Sequence, residues 1–325
     1  MTSVCVLCGG VGAARFLAGL VRVVDPSGVT AVVNVGDDTV LHELHVSPDL
    51  DTVTYTLAGA VNPATGWGLV GETWEAMAAL DRYGAAAPAG SDAGSTWFRL
   101  GDRDLATHLY RTRRLAEGAA LSEVTAEIAR AWDLPFAVVP VTDDPLRTMV
   151  TVRDADAVRE VGFQEYFVRR QHGVPVEAVR VAGATDARPA PGVLEALATA
   201  DAVIVAPSNP VVSIGPVLAV PGVRDALRRR REAVAAVSPI VGGAALKGPA
   251  DRMMRELGHE ASVVGVAAMY ADLAGTLVID EVDAALAPAV ESEGIAPLVA
   301  PTVMHDPAAA ADLARTVLAA LGVAP

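Results

Sequence analysis

Residues 4–16 read Val-Cys-Val-Leu-Cys-Gly-Gly-Val-Gly-Ala-Ala-Arg-Phe, an apolar run that breaks at a glycine turn and resumes with helix formers and a cation. This order predicts a buried strand over about residues 3–8 and a helix over about 12–23. A strand apolar on both faces needs cover on both sides, so the rest of the chain must supply helices for two faces of a sheet. The turn itself combines three devices that hold phosphate. Glycines let the backbone approach a ligand, and the N–H groups and dipole of a helix start favour negative charge. A guanidinium one turn into the helix adds a fixed fork. The candidate phosphate contacts are therefore Gly10, Gly12, Ala13 and Arg15. The turn is not a dinucleotide fingerprint, because Arg15 stands where a third small residue would allow close helix–strand packing. Nor is it a Walker loop, since no Gly-Lys-Ser/Thr follows.

The remaining pattern alternates strand and helix. A second strand over Thr30–Val35 ends in Gly36-Asp37-Asp38, and further strands are predicted at 136–140, 202–206 and 233–237. Residues 149–153 and 157–163 read as a hairpin about Asp154-Ala155-Asp156. Helices are predicted over 73–83, 105–116, 121–132 and 307–321, the last opened by an Asp306 cap and Pro307. Gly84–Ser95, rich in small residues, reads as a surface loop. The expectation is one α/β domain over residues 1–325: a Rossmann-like, mostly parallel sheet flanked by helices. A helical and loop-rich insertion over 39–135 would form its substrate side. Apolar residues make up 52% of the chain, enough for a large core, while aromatics at 4% leave that core to Val, Ala and Leu. The net charge of −14 excludes a general nucleic-acid binder, so positive charge must be local wherever phosphate is held. No secretory leader pattern and no apolar span of membrane-crossing length is read, so a cytoplasmic protein without a membrane partner is expected. Cys5 and Cys8 fall within the first strand and are read as small core residues, not a redox pair.

Asp37, Asp38, Asp49 and Asp51 offer hard oxygen ligands of the kind Mg²⁺ accepts. Read as an extended segment, Asp49-Leu50-Asp51 puts both carboxylates on one side, one for a metal and one to take a proton from an attacking hydroxyl. Asp also favours helix caps and turns, the structural alternative. A second acidic stretch, Leu100–His108, sets Asp104 and His108 one helical turn apart, as an ion pair, a buried histidine or a site. Ser208, Asn209 and Ser213 follow a strand and suit a nucleotide edge, and Lys247, the one lysine, precedes a helix start. His42, His45, His172, His259 and His305 show no metal spacing.

Six segments occur in a fixed order: Gly9–Phe16, Val33–Asp38, Pro48–Thr52, Leu100–His108, Ala206–Gly215 and Ser238-Pro239-Ile240. In these the chain resembles, nearly end to end, the 2-phospho-L-lactate transferases of coenzyme F-420 biosynthesis, in particular the actinobacterial phosphoenolpyruvate transferases. The resemblance implies an Mg²⁺-dependent enzyme. Its acceptor would be the terminal ribityl hydroxyl of the deazaflavin FO. Its donor would be guanosine diphosphate linked to enolpyruvate or lactate, delivered by an upstream guanylyltransferase, with GMP released. A homodimer is also implied. Residue by residue, Asp51 with Asp37 or Asp38 would hold the metal, and Asp51 or Asp49 would lie near the FO hydroxyl. Arg99 would contact FO. Gly10, Gly12, Ala13 and Arg15 would cradle the donor phosphates, with Ser208, Asn209 and Ser213 on the nucleotide. A related family of regulators that bind nucleotide-sugars is the alternative. The acid pair followed by Thr39-Val40-Leu41, together with Asp49–Thr52 and Gly101–His108, favours the transferase.

Overall fold

The computed structural model describes residues 2–154 and 157–324. In chain order the first part comprises β1 (Val4–Cys8), α1 (Gly10–Leu20), β2 (Val29–Val33), β3 (Thr39–Leu41), β4 (Leu44–Val46), α2 (Pro48–Leu57), α3 (Glu75–Ala86), α4 (Asp104–Ala116) and α5 (Leu121–Ala131). Next come β5 (Ala137–Pro140), β6 (Arg147–Asp154), β7 (Ala157–Gly162), β8 (Val176–Ala182), α6 (Val193–Thr199) and β9 (Ala202–Val205). The last third holds α7 (Gly215–Ala219), α8 (Val223–Arg229), β10 (Val234–Val237), β11 (Ile240–Val241), β12 (Ala244–Ala245), α9 (Ala250–Glu256), α10 (Val263–Tyr270), β13 (Thr276–Ile279), α11 (Ala287–Ser292), β14 (Ala296–Val299) and α12 (Pro307–Ala320).

Seven strands form a parallel sheet in the order β14-β13-β10-β9-β1-β2-β5. The chain builds outward from β1 through β2 to β5 on one side, and from β9 through β10 and β13 to β14 on the other. The order therefore reverses between β1 and β9, and a crevice opens beyond their carboxyl ends, where ligands bind such sheets. Both central strands are wholly buried, as their unbroken apolar runs require. The α/β expectation thus holds.

Close backbone packing fixes α1 over the crevice. A Cβ on Gly12 would lie 2.1 Å from the Pro207 carbonyl oxygen, so only glycine lets α1 approach the loop after β9. Cys5 and Cys8 are free and buried in the core. Burial pushes the Cys5 thiol up to about 12 and Cys8 well above its usual range, so neither supplies a reactive thiolate.

Two local readings are corrected and a third is extended. The helix after the glycine turn begins at Gly10 and stops at Leu20, short of Asp25-Pro26. Ser47–Asp51 is not extended: Pro48 sits at the first helical position and α2 starts there. Two residues on a helix differ by about 200°, so Asp49 and Asp51 point to opposite flanks of α2. Finally, the predicted hairpin pairs as β6 and β7, but β8 joins β6 to complete a three-stranded antiparallel sheet. Its turn, Asp154-Ala155-Asp156, lies partly outside the described residues. No single helix among the described residues is long and apolar enough to cross a membrane.

Candidate active site

A cleft of about 800 Å³ lies at the carboxyl edge of the sheet, over the β1–β9 reversal. Its floor is the glycine turn and the loop after β9. Ser208 Oγ donates to the Gly9 carbonyl at 2.8 Å and accepts from the Gly9 N–H at 3.4 Å, tying the two loops together. Asn209 Oδ1 accepts from the N–H groups of Val211 and Val212, so its oxygen caps the turn that follows. Gly10 takes a φ of +74°, which its lack of a Cβ permits. Gly10, Gly12 and Arg15 line the cleft with Ser208, Asn209 and Ser213. Ala13 is in the core behind them. Across from Arg15, Lys247 lowers its ammonium onto the Thr65 carbonyl at 3.0 Å. Burial and the neighbouring Arg15 charge pull the Lys247 pKa down.

Three of the four acids named from the sequence, Asp37, Asp49 and Asp51, line the cleft, and Asp38 lies beside them against Ser47 without lining it. Asp49 accepts from Asn34 Nδ2 at 2.8 Å and from the Gly10 N–H, so its carboxylate is bound to the start of α1. Burial still raises it to about 6, and the Asn34 and Gly10 bonds oppose the rise. Asp37 lines the cleft with Oδ1 unpartnered. Burial and the Asp49 charge hold its carboxyl well above the ordinary range. Asp38 accepts from Ser47 Oγ at 2.7 Å while its Oδ1 is also buried without a partner. Burial pushes it up to about 8, against the pull of Ser47 and Arg111. Two orphaned buried carboxylate oxygens on one turn are chemically suited to a hard divalent cation. Asp51 lies on the other flank of α2 in a bidentate pair with Arg111. Burial raises its carboxyl and the Arg111 guanidinium and His108 oppose that rise.

The face of α4 completes this corner. Asp104, His108 and Arg111 fall at i, i+4 and i+7 and so share one side of the helix. His108 Nε2 lies 3.3 Å from Asp104 Oδ2, and Tyr55 Oη donates to Asp104 Oδ1 at 2.5 Å. Asp104 thereby stays below the ordinary range, its burial outweighed by His108 and Tyr55. Asp102, in the same segment, is a cap instead: it accepts from the N–H groups of Glu75 and Ala76 at the start of α3. Glu72 returns the favour at α4, accepting from Arg103 and Asp104 N–H. Arg111, Tyr55 and Glu72 are residues that sequence reasoning missed. The i, i+4, i+7 spacing from Asp104 carried the signal for Arg111.

The outer wall is aromatic. The chain has four Trp, five Tyr and five Phe, and seven of these line the cleft, among them Trp67, Trp74, Trp97, Phe98, Phe163 and Phe167. Phe163 and Phe167 stack at 5.5 Å, and the Arg99 guanidinium sits 5.8 Å from the Trp74 ring centroid. In a chain so poor in aromatics, such a concentration marks a surface for a flat apolar ligand.

Comparison with known proteins agrees with this architecture. A phosphoenolpyruvate transferase of Kitasatospora aureofaciens is 45% identical over 315 residues, covering 96% of both chains. One from Streptomyces coelicolor is 43% identical over 314 residues, again covering 96% of each. A crystal structure of a Bacillus halodurans protein superposes with a TM-score of 0.61 at 16% identity, over 98% of this chain and 99% of that one, which shows the shared fold alone. The family model for 2-phospho-L-lactate transferase CofD matches residues 4–320, and the chain therefore belongs to that family of transferases.

Proposed function

We propose that this transferase moves a phosphoenolpyruvyl group, or a phospholactyl group, from a guanosine-diphosphate donor to the terminal hydroxyl of the deazaflavin FO. GMP leaves, and the product is a precursor of coenzyme F-420. One observation carries the reading: a single cleft joins an anion-binding turn, buried carboxylates including Asp37 with its partnerless oxygen, and an aromatic wall. These are the three surfaces that a polyphosphate donor and a flat heteroaromatic acceptor require. The actinobacterial relatives, named as phosphoenolpyruvate transferases, support enolpyruvyl as the transferred piece.

In this mechanism Arg15 and Lys247 face the donor phosphates, and Gly10 and Gly12 let the backbone come close to them. Ser208 and Asn209 act mainly by shaping the loop, since their oxygens are already bonded within it. Ser213 lies on the nucleotide side. The aromatic wall and Arg99 hold the acceptor ring, leaving its side chain to reach toward Asp51. The acceptor oxygen bonds to the phosphorus distal to guanosine while the bond from that phosphorus to the bridging oxygen breaks. GMP departs with the electron pair. Asp51 takes the hydroxyl proton on a lone pair not used by Arg111, because a carboxylate has about four acceptor sites. Asp49, committed to α1, has a supporting role. Asp51, with Asp37 or Asp38, would hold Mg²⁺. That ion would supply charge neutralisation at the phosphates. Orientation and fixed charge account for most of the acceleration in such a transfer. The same reading includes a homodimer fed by an upstream guanylyltransferase.

The test is reconstitution with FO, GTP, the guanylyltransferase and either phosphoenolpyruvate or 2-phospholactate, followed by mass spectrometry. A product of FO plus the phospho-acyl group, lost in excess EDTA and restored by Mg²⁺, is expected. No product, together with thermal stabilisation by a UDP-sugar alone, would reject the transferase in favour of a nucleotide-sugar regulator.

A further inference from the structure

We propose that Arg111 is a positioning residue for the transfer, setting through Asp51 the direction in which that carboxylate meets the acceptor hydroxyl. The proposal rests on the reading of Asp51 as a group at the reacting end of the cleft. Arg111 is the one buried arginine among the described residues, 2% exposed. Its two terminal nitrogens reach the two Asp51 oxygens. One of them, Nη1, also lies 3.3 Å from the His45 carbonyl and 3.3 Å from His108 Nδ1. Nε has no partner. Asp51 lines the cleft and Arg111 does not, so the guanidinium acts on a ligand only through the carboxylate it holds.

Stability alone is a poor account of this arrangement. Burying an ion pair costs more than packing apolar side chains of the same volume, and an orphaned N–H adds to that cost. What the fork supplies is geometry. A carboxylate turns freely about its last torsion, whereas two parallel bonds from a planar guanidinium fix its plane. A lysine at the same place would keep the charge and lose the plane.

The neighbours extend the argument. Because an arginine can only donate, His108 accepts at Nδ1 and carries its proton on Nε2, which lies 3.3 Å from Asp104 Oδ2 without hydrogen-bond geometry. Asp104 also accepts from Tyr55. Asp51, Asp104 and His108 present ligand atoms within 4.8 Å of one another, a spacing that would also suit a cation. Arg111 contacts two of the three and brings a positive charge to this corner, which offsets the Asp51 carboxylate whether or not a cation is bound.

The experiment is a cycle of Arg111→Lys, Asp51→Asn and the double variant, with kcat, both KM values and melting temperature measured for each. Arg111→Lys should fold and bind donor with an unchanged KM, and its kcat should fall by about tenfold to a hundredfold. In the Asp51→Asn background the same change should lower kcat by less than about threefold, because the group it acts through has been altered. A wild-type kcat for Arg111→Lys would overturn the proposal. So would an equal loss in both backgrounds, which would mean that Arg111 acts independently of Asp51. Wild-type turnover by Asp51→Asn would instead remove the assigned role of Asp51, and the proposal with it, a result distinguishable from the other two.

Discussion

Without a bound cation, the acid pair after β2 should make the folded protein less stable than it would be with one carboxyl removed. Asp38 titrates near 8 in the fold, against an ordinary 3.8. At pH 7 the unfolded chain has released that proton and the folded chain still holds it. Three pH units of difference correspond to about 4 kcal/mol, or about 2 kcal/mol once partial solvent access to Asp38 is allowed for. The sign follows from proton counts: the folded state binds more, so stability falls as pH rises from the unfolded value through about 8. Asp49, raised to about 6, pulls in the same direction. Asp38→Asn should therefore raise the melting temperature of the metal-free protein by about 4 °C near neutral pH and flatten its pH dependence. Mg²⁺ should stabilise the wild-type protein more at pH 8 than at pH 6, because the acids must be deprotonated to ligate. Scanning calorimetry of EDTA-treated protein across this range, with and without MgCl₂, measures both effects. A wild-type melting temperature that holds level or climbs with pH, or an Asp38→Asn variant no more stable than wild type, would refute the reasoning.

Other consequences follow from single contacts. Asp51→Asn should fold normally and lose turnover by about a hundredfold or more in the product assay; a rate near wild type would remove it from the reacting end. Arg15→Ala should weaken GDP binding about tenfold by calorimetry, in proportion to one lost charge-assisted bond. Gly12→Ala should destabilise by about 2 kcal/mol in urea unfolding, since its Cβ would fall 2.1 Å from the Pro207 oxygen.

The sequence made the sheet legible where hydrophobic runs stop at glycine or proline. Val4–Cys8, Ala202–Val205 and Val234–Val237 match their predicted strands to within two residues. It also located the glycine turn and the acids of the cleft. It misjudged Asp49 and Asp51 because a two-residue spacing means one face in a strand and opposite faces in a helix. The Ser47-Pro48 start should have decided for the helix. Arg111 and Tyr55 were missed for a different reason: their partners Asp51 and Asp104 lie on other elements, so only the spacing of Arg111 from Asp104 hinted at its place and nothing local marked Tyr55. The aromatic wall was likewise invisible, because Trp67, Phe98 and Phe163 are far apart along the chain and line one cleft only once the segment after β7 is brought beside the other two.

The reciprocal bonds between Ser208 and Gly9 have a bearing on selectivity. A floor stapled in both directions cannot spread to admit a bulkier donor without losing both links at once. Whatever tolerance the enzyme has for different acyl pieces must reside at the rim, where the 62–71 turn and Leu246–Pro249 are joined by the hydrogen bond from Lys247 to the Thr65 carbonyl. Changes that broaden the choice of acyl group belong on those two lips, while changes to the stapled floor would cost catalysis before they altered preference.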